Sequence, residues 1–414
     1  MKILLIVDCY LPDHRSSATL INDLGLEFAR MGHLVTVLAP SEHLNQSMEI
    51  GAHAGMRVVR VKAPPTKGVS KPIRAVREMR LSSLVWRYSG RFLLQDRPDL
   101  IIFYSPTIFW GPLVKRLKSL HKCPAYLVLR DIFPKWAVDA GVLRKGIVYH
   151  VLRHYERLQY RIADVIGTNS TGDLEYFRRD FPKSNFRIEV LHNWVAPEKI
   201  PSPAVDYRLR LGLTNKVVFV YGGNIGVAQD MDNVLRLAIN LAAHPDVHIL
   251  VVGEGTEAAR VAGYVADRDL TNVTVVPGVS RSEYLPMLSQ FDVGLISLDR
   301  RLTTHNIPGK LLSYGLCAMP VLASVNPGND LIDMLHDSGS GFASLNGDDV
   351  ALMSAAVALA KNPELRVEMG GNCRKLIEER FSVRSATSTI LRHFETSAPC
   401  PVALDFRVNV LVDT

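Results

Sequence analysis

Short, almost uninterrupted apolar runs alternate with helical patterns along nearly the whole sequence, and this alternation limits the fold more than any other feature. Runs of β-branched residues and leucine are typical of parallel strands that are buried on both faces. Parallel strands need crossover connections, usually helices, so the pattern predicts an α/β fold. The strands predicted in the first half are ILLIV (3–7), LVTVLA (34–39), RVVRV (57–61), LIIFY (100–104), AYLVL (125–129), VIGT (165–168) and IEVL (188–191).

The pattern restarts after a proline-rich break, VAPEKIPSPAVD, at 195–206. The strands predicted beyond it are VVFVY (217–221), VHILVV (247–252), NVTVV (272–276), VGLISL (293–298), PVLA (320–323) and GFA (341–343). Two such series predict two doubly wound, Rossmann-like domains that face a cleft. The predicted boundaries are 1–195 for the first domain, 196–206 for the linker, 207–382 for the second domain, 383–395 for a C-terminal helix that packs back on the first domain, and 396–414 for a tail.

The composition is that of an ordinary soluble globular protein, with 414 residues, 47% hydrophobic and 21% charged. The five cysteines are scattered without metal-ligand spacing, which favours reduced thiols in a cytosol, and no metal site is predicted. Only five apolar residues stand between Lys2 and Asp8, and the uncharged run 100–114 contains two prolines. We therefore expect neither a signal peptide nor a membrane span, and a cytoplasmic location.

Positive charge is concentrated between Lys62 and Arg97, where nine Lys/Arg accompany two acidic residues. The apolar residues that recur there at roughly helical spacing are Ile73, Val76, Leu84, Val85, Tyr88 and Phe92. This basic amphipathic stretch, 62–97, is typical of a surface that meets an anionic membrane, and equally of a solvated helix face. It carries no recognisable nucleic-acid-binding motif, so no nucleic acid is expected as a partner.

The second domain opens with VFVYGGNIGVAQDMDN, in which glycines follow directly on a strand. Gly222, Gly223, Asn224 and Gly226 stand between that strand and a helix, where backbone amides can approach a phosphate closely. The dinucleotide fingerprint G-x-G-x-x-G fails here because Tyr221 occupies the place of its first glycine. A phosphate site and a simple tight turn both remain open.

The next strand ends in LVVGEGTE, where Gly253 and Gly255 flank Glu254. Open α/β sheets bind ligands at the carboxyl ends of their strands, so this loop is a candidate part of the site. Glu254 can accept hydrogen bonds from a ribose or a base. The alternative is an exposed loop carboxylate.

A lysine begins a helical stretch in THNIPGKLLSYGLCAMPVLAS, residues 303–323. The helix dipole disfavours a cation at that place, so Lys310 needs an explanation. Pro308 and Gly309 form the turn that precedes it and belong to the same candidate site. A pyrophosphate supplies one, because Lys310 and free amides at the helix start would clamp it together. The alternative is a surface lysine.

The order and spacing of these motifs resemble those of family 4 of the retaining glycosyltransferases, which have the GT-B fold. Within that family the chain is most similar to the bacterial branch that adds amino or deoxy sugars, of the N-acetylfucosamine type, in O-antigen and capsule assembly. The resemblance covers about residues 1–395 and rests on YLPDHRSSATLINDLGLEFARMGHLVTVLAP (10–40), RDIFPKWAVDAGVL (130–143), LHNWV (191–195), YGGNIGVAQDMDNVL (221–235), VVGEG (251–255), FDVGLISL (291–298) and IPGKLLSYGLCAMPVLAS (307–324).

The resemblance implies transfer of an N-acetylated amino or deoxy hexose from a nucleotide diphosphate sugar, a UDP-sugar first, to a polyprenyl-diphosphate-linked saccharide of lipopolysaccharide O-antigen or capsule. It implies a retaining reaction that needs no cofactor or metal besides the donor. It also implies a peripheral position on the inner face of the cytoplasmic membrane, with 62–97 on the anionic surface.

Two residues are the catalytic candidates. Lys310 would stabilise the charge that grows on the leaving diphosphate. Asp131 follows the strand AYLVLR in the first domain and could position the acceptor or assist as a base, while a loop or helix-capping role is equally open.

The chain departs from the family in two places. Counted back from Pro320, the positions of two common family glutamates hold Ser313 and His305, so their carboxylate roles cannot be carried over, although both positions remain candidates for contact with the donor. The basic pair that often follows the glycine loop is replaced by residues 227–229 (VAQ), which moves phosphate neutralisation toward Lys310.

Two other functions remain open. A sugar-nucleotide 2-epimerase shares this two-domain architecture but would need acid and base carboxylates around the sugar, and the sequence does not identify them. A non-catalytic nucleotide-sugar-binding relative would keep the loops of the second domain without an acceptor surface.

Overall fold

The computed structural model describes residues 1–13, 15–66, 69–139, 141, 143–196, 200–302 and 307–394. Two parallel sheets with helices on both faces confirm the predicted pair of doubly wound α/β domains.

The first sheet has the strand order β3-β4-β2-β1-β5-β6-β7-β8. These strands are β1 (Lys2–Ile6), β2 (Leu34–Ser41), β3 (Met48–His53), β4 (Met56–Lys62), β5 (Leu100–Ser105), β6 (Ala125–Leu129), β7 (Val165–Thr168) and β8 (Ile188–Val190).

One strand of this sheet, β3, has no counterpart among the predicted strands. It pairs antiparallel with β4 at the sheet edge. No residue of β3 is buried, so no apolar run marks it in the sequence. Ala54 and Gly55, with φ of 46° and 83°, form the two-residue turn that is typical of type I′ hairpins.

The second sheet has the order β11-β10-β9-β12-β13-β14. Its strands are β9 (Val217–Gly222), β10 (Val247–Val252), β11 (Val273–Val276), β12 (Val293–Ser297), β13 (Val321–Val325) and β14 (Gly341–Leu345). This is the order of dinucleotide-binding sheets, which reverses direction between the first and fourth strands of the unit. The crevice outside the carboxyl ends of β9 and β12 is therefore the place where a sheet of this order binds a ligand.

The helices alternate with these strands, and within the described residues none is long and apolar enough to cross a bilayer. They are α1 (Ser16–Arg30), α2 (Lys71–Met79), α3 (Leu81–Gln95), α4 (Gly111–His121), α5 (Lys135–Asp139), α6 (Ile147–Ile162), α7 (Thr171–Asp180), α8 (Tyr207–Arg210), α9 (Met231–Asn240), α10 (Ala258–Asp267), α11 (Arg281–Leu288), α12 (Lys310–Leu316), α13 (Leu331–Ser338), α14 (Asp349–Lys361), α15 (Pro363–Arg380) and α16 (Val383–Leu391).

The last helix, α16, packs on the first domain. The Val195 amide donates to the Phe381 carbonyl at 2.8 Å, and the Val383 amide donates to the Val195 carbonyl at 3.0 Å. Val383, Ile390 and Leu391 are buried in the core that covers one face of the first sheet. The chain therefore crosses between the domains twice at one place, before the second domain and after it.

A second contact links loops at the carboxyl edges of the two sheets. Thr171 follows β7, and Asp330 follows β13. The amide and the hydroxyl of Thr171 donate to the two carboxylate oxygens of Asp330, at 2.8 and 2.5 Å. The edges at which α/β sheets bind ligands therefore face one another across the cleft between the domains.

Candidate active site

Lys310, the first residue of α12, holds a largely buried ammonium group. Its Nζ lies 4.6 Å from the centroid of the Tyr221 ring, within cation–π range. Burial lowers the pKa of this ammonium from 10.5 to about 8, because the charged form loses its hydration. No carboxylate in the part of the chain that the structure describes forms an ion pair with it. Lys310 is thus a desolvated cation without a counter-ion among the described residues.

The loop after β9 stacks backbone against backbone on the loop after β10. The Ile225 amide donates to the Glu254 carbonyl at 2.8 Å. A Cβ on Gly253 would lie 1.8 Å from the Gly223 carbonyl oxygen, and one on Gly255 would lie 2.2 Å from the Ile225 carbonyl oxygen. Glycine is therefore required at both positions so that the two loops can approach each other.

The amides of residues 222–226 are less available to a ligand than the sequence suggests. Three of them donate to groups of the protein itself, those of Gly222, Gly223 and Ile225. The other two, of Asn224 and Gly226, donate to no other described residue. The prediction that all the amides of this stretch are available to a phosphate is therefore wrong for three of them. Only the amides of Asn224 and Gly226 remain candidates.

The same correction applies to the start of α12. This helix has only seven residues. The Leu311 and Leu312 amides donate to the Pro308 and Gly309 carbonyls, at 3.1 and 3.2 Å. The prediction of free helix-start amides is wrong for these two.

Tyr314 positions the ends of the two central strands. Its buried hydroxyl accepts from the Gly222 amide at 3.1 Å and lies within 3.1 Å of the carbonyls of Val220 and Leu295. Its ring occupies the space beside Gly294, where a Cβ would lie 2.3 Å from the ring. Tyr314 is not among the site residues predicted from the sequence; its spacing of one helical turn from Lys310 is the signal that could have found it.

The remaining donor candidates differ in how the structure describes them. Glu254 is exposed at the loop after β10, and its carboxylate has no partner among the described residues. Ser313 is half-buried in α12, and its hydroxyl likewise bonds to none of them. His305 lies outside the described residues.

Asp131 lies two residues beyond the end of β6 in the first domain. Burial raises the pKa of its carboxyl above the usual value of 3.8, and the neighbouring Arg130 guanidinium offsets only part of that effect. Arg130 itself donates to the carbonyls of Leu191 and His192, at 2.5 and 3.2 Å. The LHNW segment is therefore anchored by Arg130, while Asp131 makes no hydrogen bond to another described residue.

A cavity of about 720 Å³ lies beside the carboxyl ends of β1 and β5, where the order of the first sheet reverses. Asp8, Arg15, Arg60, Arg77 and Thr107 are among its lining residues. The Arg15 guanidinium lies 3.2 Å from one carboxylate oxygen of Asp8, and the other oxygen is buried without a partner in the described structure. The sequence analysis did not predict this cavity; the charged segment DCYLPDHR after the first strand is its signal.

The basic stretch 62–97 folds mainly as α2 and α3. Four of its apolar residues pack in or against the hydrophobic core on the face of the first sheet opposite α16: Leu84, Val85, Tyr88 and Phe92. The helical spacing in α3 is therefore explained by packing on the sheet. Ile73 and Val76, in α2, are exposed.

Comparison with known proteins now gives this geometry a context. Residues 17–194 match the family model described as glycosyl transferase 4-like domain. The probable glycosyltransferase WbjE of Pseudomonas aeruginosa is 25% identical over 265 residues, 62% of this chain and 64% of WbjE, so that match spans less than two thirds of the relative. The putative colanic acid biosynthesis glycosyl transferase WcaI of Escherichia coli K12 is 25% identical over 328 residues, 75% of this chain and 80% of WcaI.

Solved structures agree with the fold. Sucrose-phosphate synthase from Thermosynechococcus elongatus superposes with a TM-score of 0.70 and 16% identity, over 95% of this chain and 98% of that one. Anabaena Alr3699/HepE in complex with UDP superposes with a TM-score of 0.67 and 16% identity, over 95% of this chain and 99% of that one. The chain therefore has the GT-B fold of glycosyltransferases. The matched family model and both named relatives are described as glycosyltransferases.

Proposed function

We propose that this protein is a retaining glycosyltransferase that transfers an N-acetylated amino or deoxy hexose from a UDP-sugar to a polyprenyl-diphosphate-linked saccharide in O-antigen or capsule assembly. The single observation that carries the proposal is the desolvated ammonium of Lys310, which no carboxylate of the described residues neutralises, at the point where the order of the second sheet reverses. One named relative, WcaI, is a putative colanic acid biosynthesis glycosyl transferase, and a neighbour of the same fold was solved with UDP.

The donor diphosphate binds between the loop after β9 and the start of α12. Lys310 Nζ lies 3.4 Å from the position that a Cβ on Gly223 would take, so the ammonium lies against the glycine loop. The Asn224 and Gly226 amides add two uncommitted donors in that loop. Glu254 and the positions of Ser313 and His305 are the candidates for contact with the nucleoside and the sugar.

Transfer breaks the bond between the anomeric carbon and the β-phosphate oxygen and forms a bond from that carbon to the acceptor oxygen on the same face. The diphosphate leaves with growing negative charge, and one of its oxygens takes the proton of the acceptor hydroxyl. Lys310 stabilises that charge, a contribution of about 3–4 kcal/mol for an important preorganised donor. Asp131 positions the acceptor hydroxyl, and the reaction needs no metal and no other cofactor.

The acceptor saccharide enters the cavity of the first domain. Its guanidinium groups and the free oxygen of Asp8 provide hydrogen-bond donors and an acceptor for sugar hydroxyls. A polyprenyl chain would remain in the membrane, so the protein works peripherally on the cytoplasmic face.

The experiment supplies UDP-N-acetylhexosamines together with a polyprenyl-diphosphate-linked saccharide and follows products by mass spectrometry and NMR. The proposal predicts an acceptor extended by one sugar residue, with the anomeric configuration of the donor retained. Conversion of the nucleotide sugar into its 2-epimer without an acceptor would identify an epimerase. Donor binding without any product would identify a non-catalytic nucleotide-sugar-binding protein.

A further inference from the structure

The start of α6 exposes three large apolar side chains that belong to none of the hydrophobic cores of the described structure. Ile147, Val148 and Val151 are 85%, 59% and 41% exposed. Ile147 and Val151 are four residues apart, and Val148 lies beside them, so the three share one side of the helix. Exposed apolar groups clustered in this way, in contrast to isolated ones, indicate an interaction surface.

A stripe of basic side chains runs along the same exposed side of α6. His150, His154, Arg157 and Arg161 recur at helical spacing, are all exposed, and line a groove of about 540 Å³. Arg157 and Arg161 form no ion pair with a carboxylate in the described ranges. The apolar patch and the cations are therefore adjacent strips of one amphipathic surface.

Acidic groups are nearly absent from this surface. Residues 144–161 contain five Lys/Arg and one acidic residue, Glu156. Glu156 is fully buried, where it binds Arg153 and the Tyr176 hydroxyl at 2.5 and 2.7 Å. Arg144 and Lys145, just before the helix, are exposed and add to the positive charge.

The opposite side of α6 connects this surface to the acceptor cavity. Leu152 packs with Ile108 and Phe109 in a small buried cluster. Those two residues directly follow Thr107, which lines the cavity. A ligand in the cavity thus lies on the same end of the first domain as the exposed helix.

We infer that the exposed face of α6, with Ile147, Val148 and Val151 inserted and His150, His154, Arg157 and Arg161 at headgroup level, is the surface by which this protein docks on an anionic lipid bilayer. Apolar side chains enter the acyl boundary and the cations meet lipid phosphates, the arrangement of interfacial amphipathic helices. This moves the main contact from the predicted stretch 62–97, whose α3 packs on the sheet. The reason for meeting a membrane rests on the proposed function; the binding itself requires neither donor nor acceptor.

The test is co-sedimentation of the full chain with vesicles of phosphatidylcholine alone or with about a third phosphatidylglycerol, at low and high salt. We expect binding to the anionic vesicles only, weakened by salt. Ile147→Ser/Val151→Ser and Arg157→Glu/Arg161→Glu should each lower the affinity about tenfold or more, about 1.4 kcal/mol.

Two variants serve as controls. Val350→Ser/Val367→Ser removes two comparably exposed valines, 78% and 76%, of the second domain and should bind vesicles as the wild type does. Ile73→Ser/Val76→Ser removes the exposed apolar residues of α2. The inference would be overturned if the α2 variant lost vesicle binding while the α6 variants bound as the wild type does. It would also be overturned if the wild type bound neutral and anionic vesicles equally.

The outcome is separate from that of the proposed function, because UDP binding measured without vesicles should be unchanged in every one of these variants. A protein that binds UDP but not anionic vesicles would refute the inference alone. One that binds vesicles through α6 but no nucleotide would refute the proposed donor site alone.

Discussion

The Lys310 ammonium lies 4.6 Å from the centroid of the Tyr221 ring, and no carboxylate among the described residues neutralises it. An aromatic face attracts a cation, but it does not replace the hydration that burial removes. The site therefore holds an electrostatic cost that a diphosphate would relieve on binding.

Lys310→Met should make the ligand-free protein more stable near neutral pH. A pKa lowered from 10.5 to about 8 corresponds to about 3 kcal/mol, the upper bound of the gain in free energy of unfolding. The unfolded lysine keeps its ordinary pKa, so the penalty is complete below about pH 8 and disappears as the pH rises toward 10.5. Urea unfolding of both proteins at several pH values measures this difference. A variant less stable than the wild type near pH 7 would show that the charged Lys310 side chain does not destabilise the ligand-free protein.

Nucleotide binding should weaken as the pH rises through about 8, where the free protein loses the Lys310 proton. A bound diphosphate favours the ammonium, so its pKa rises on binding and the complex takes up a proton. Calorimetry in buffers of different ionisation enthalpy, between about pH 7 and about pH 9, measures this uptake. Lys310→Arg keeps its charge in this range. It should show no uptake, and uptake equal to that of the wild type would assign the proton to another group.

Gly253→Ala should disrupt the contact between the loops after β9 and β10. The added Cβ would lie 1.8 Å from the Gly223 carbonyl oxygen, which is backbone and must move. We expect a loss of about 3 kcal/mol or more in the free energy of unfolding, with loss of nucleotide binding. Chemical denaturation and calorimetry give both values.

Gly263→Ala is the matched control for that substitution. Gly263 lies in α10, and a Cβ there meets nothing within 4 Å. Alanine in a helix is favoured over glycine by up to about 1 kcal/mol, so this variant should be slightly more stable and bind normally. Equal effects of the two substitutions would argue against close loop packing as the cause.

Asp131→Asn should separate the acceptor role from donor binding. Burial raises the pKa of this carboxyl above 3.8, so ionising it in the folded protein is unfavourable. The folded state therefore loses stability as the pH rises from 3.8 through the raised pKa. The amide variant should therefore be at least as stable as the wild type near pH 7, bind the nucleotide equally, and transfer sugar about tenfold more slowly or worse. Unchanged transfer would return Asp131 to a structural role.

The sequence predicted the fold well because its strands are buried on both faces. Continuous apolar runs such as LIIFY and VHILVV mark the central strands, and the break at 195–206 separates the two series. The edge strand β3 escaped because none of its residues is buried. A periodic pattern of apolar residues indicates buried positions, and an exposed hairpin has no such pattern.

The site was predicted less completely because hydrogen-bond partners depend on residues far apart in the chain. Position along the sequence could place Lys310 and the glycine loop near one another. It could not show that the Gly222 amide donates to Tyr314, 92 residues away, which removes this amide from the ligand. Likewise, α3 and α6 are both basic and amphipathic in sequence, and only packing shows that the apolar side chains at the start of α6 are exposed.

Calorimetric binding of UDP, GDP, dTDP and UDP-N-acetylhexosamines to the wild type, Lys310→Ala and Lys361→Ala tests the central claim most directly. Lys361 is an exposed lysine at the end of α14 and serves as the control. We predict micromolar binding of a uridine nucleotide by the wild type and by Lys361→Ala, and a loss of about tenfold or more, about 1.4 kcal/mol, in Lys310→Ala. Equal binding by Lys310→Ala and the wild type, or binding of none of these nucleotides, would contradict the account.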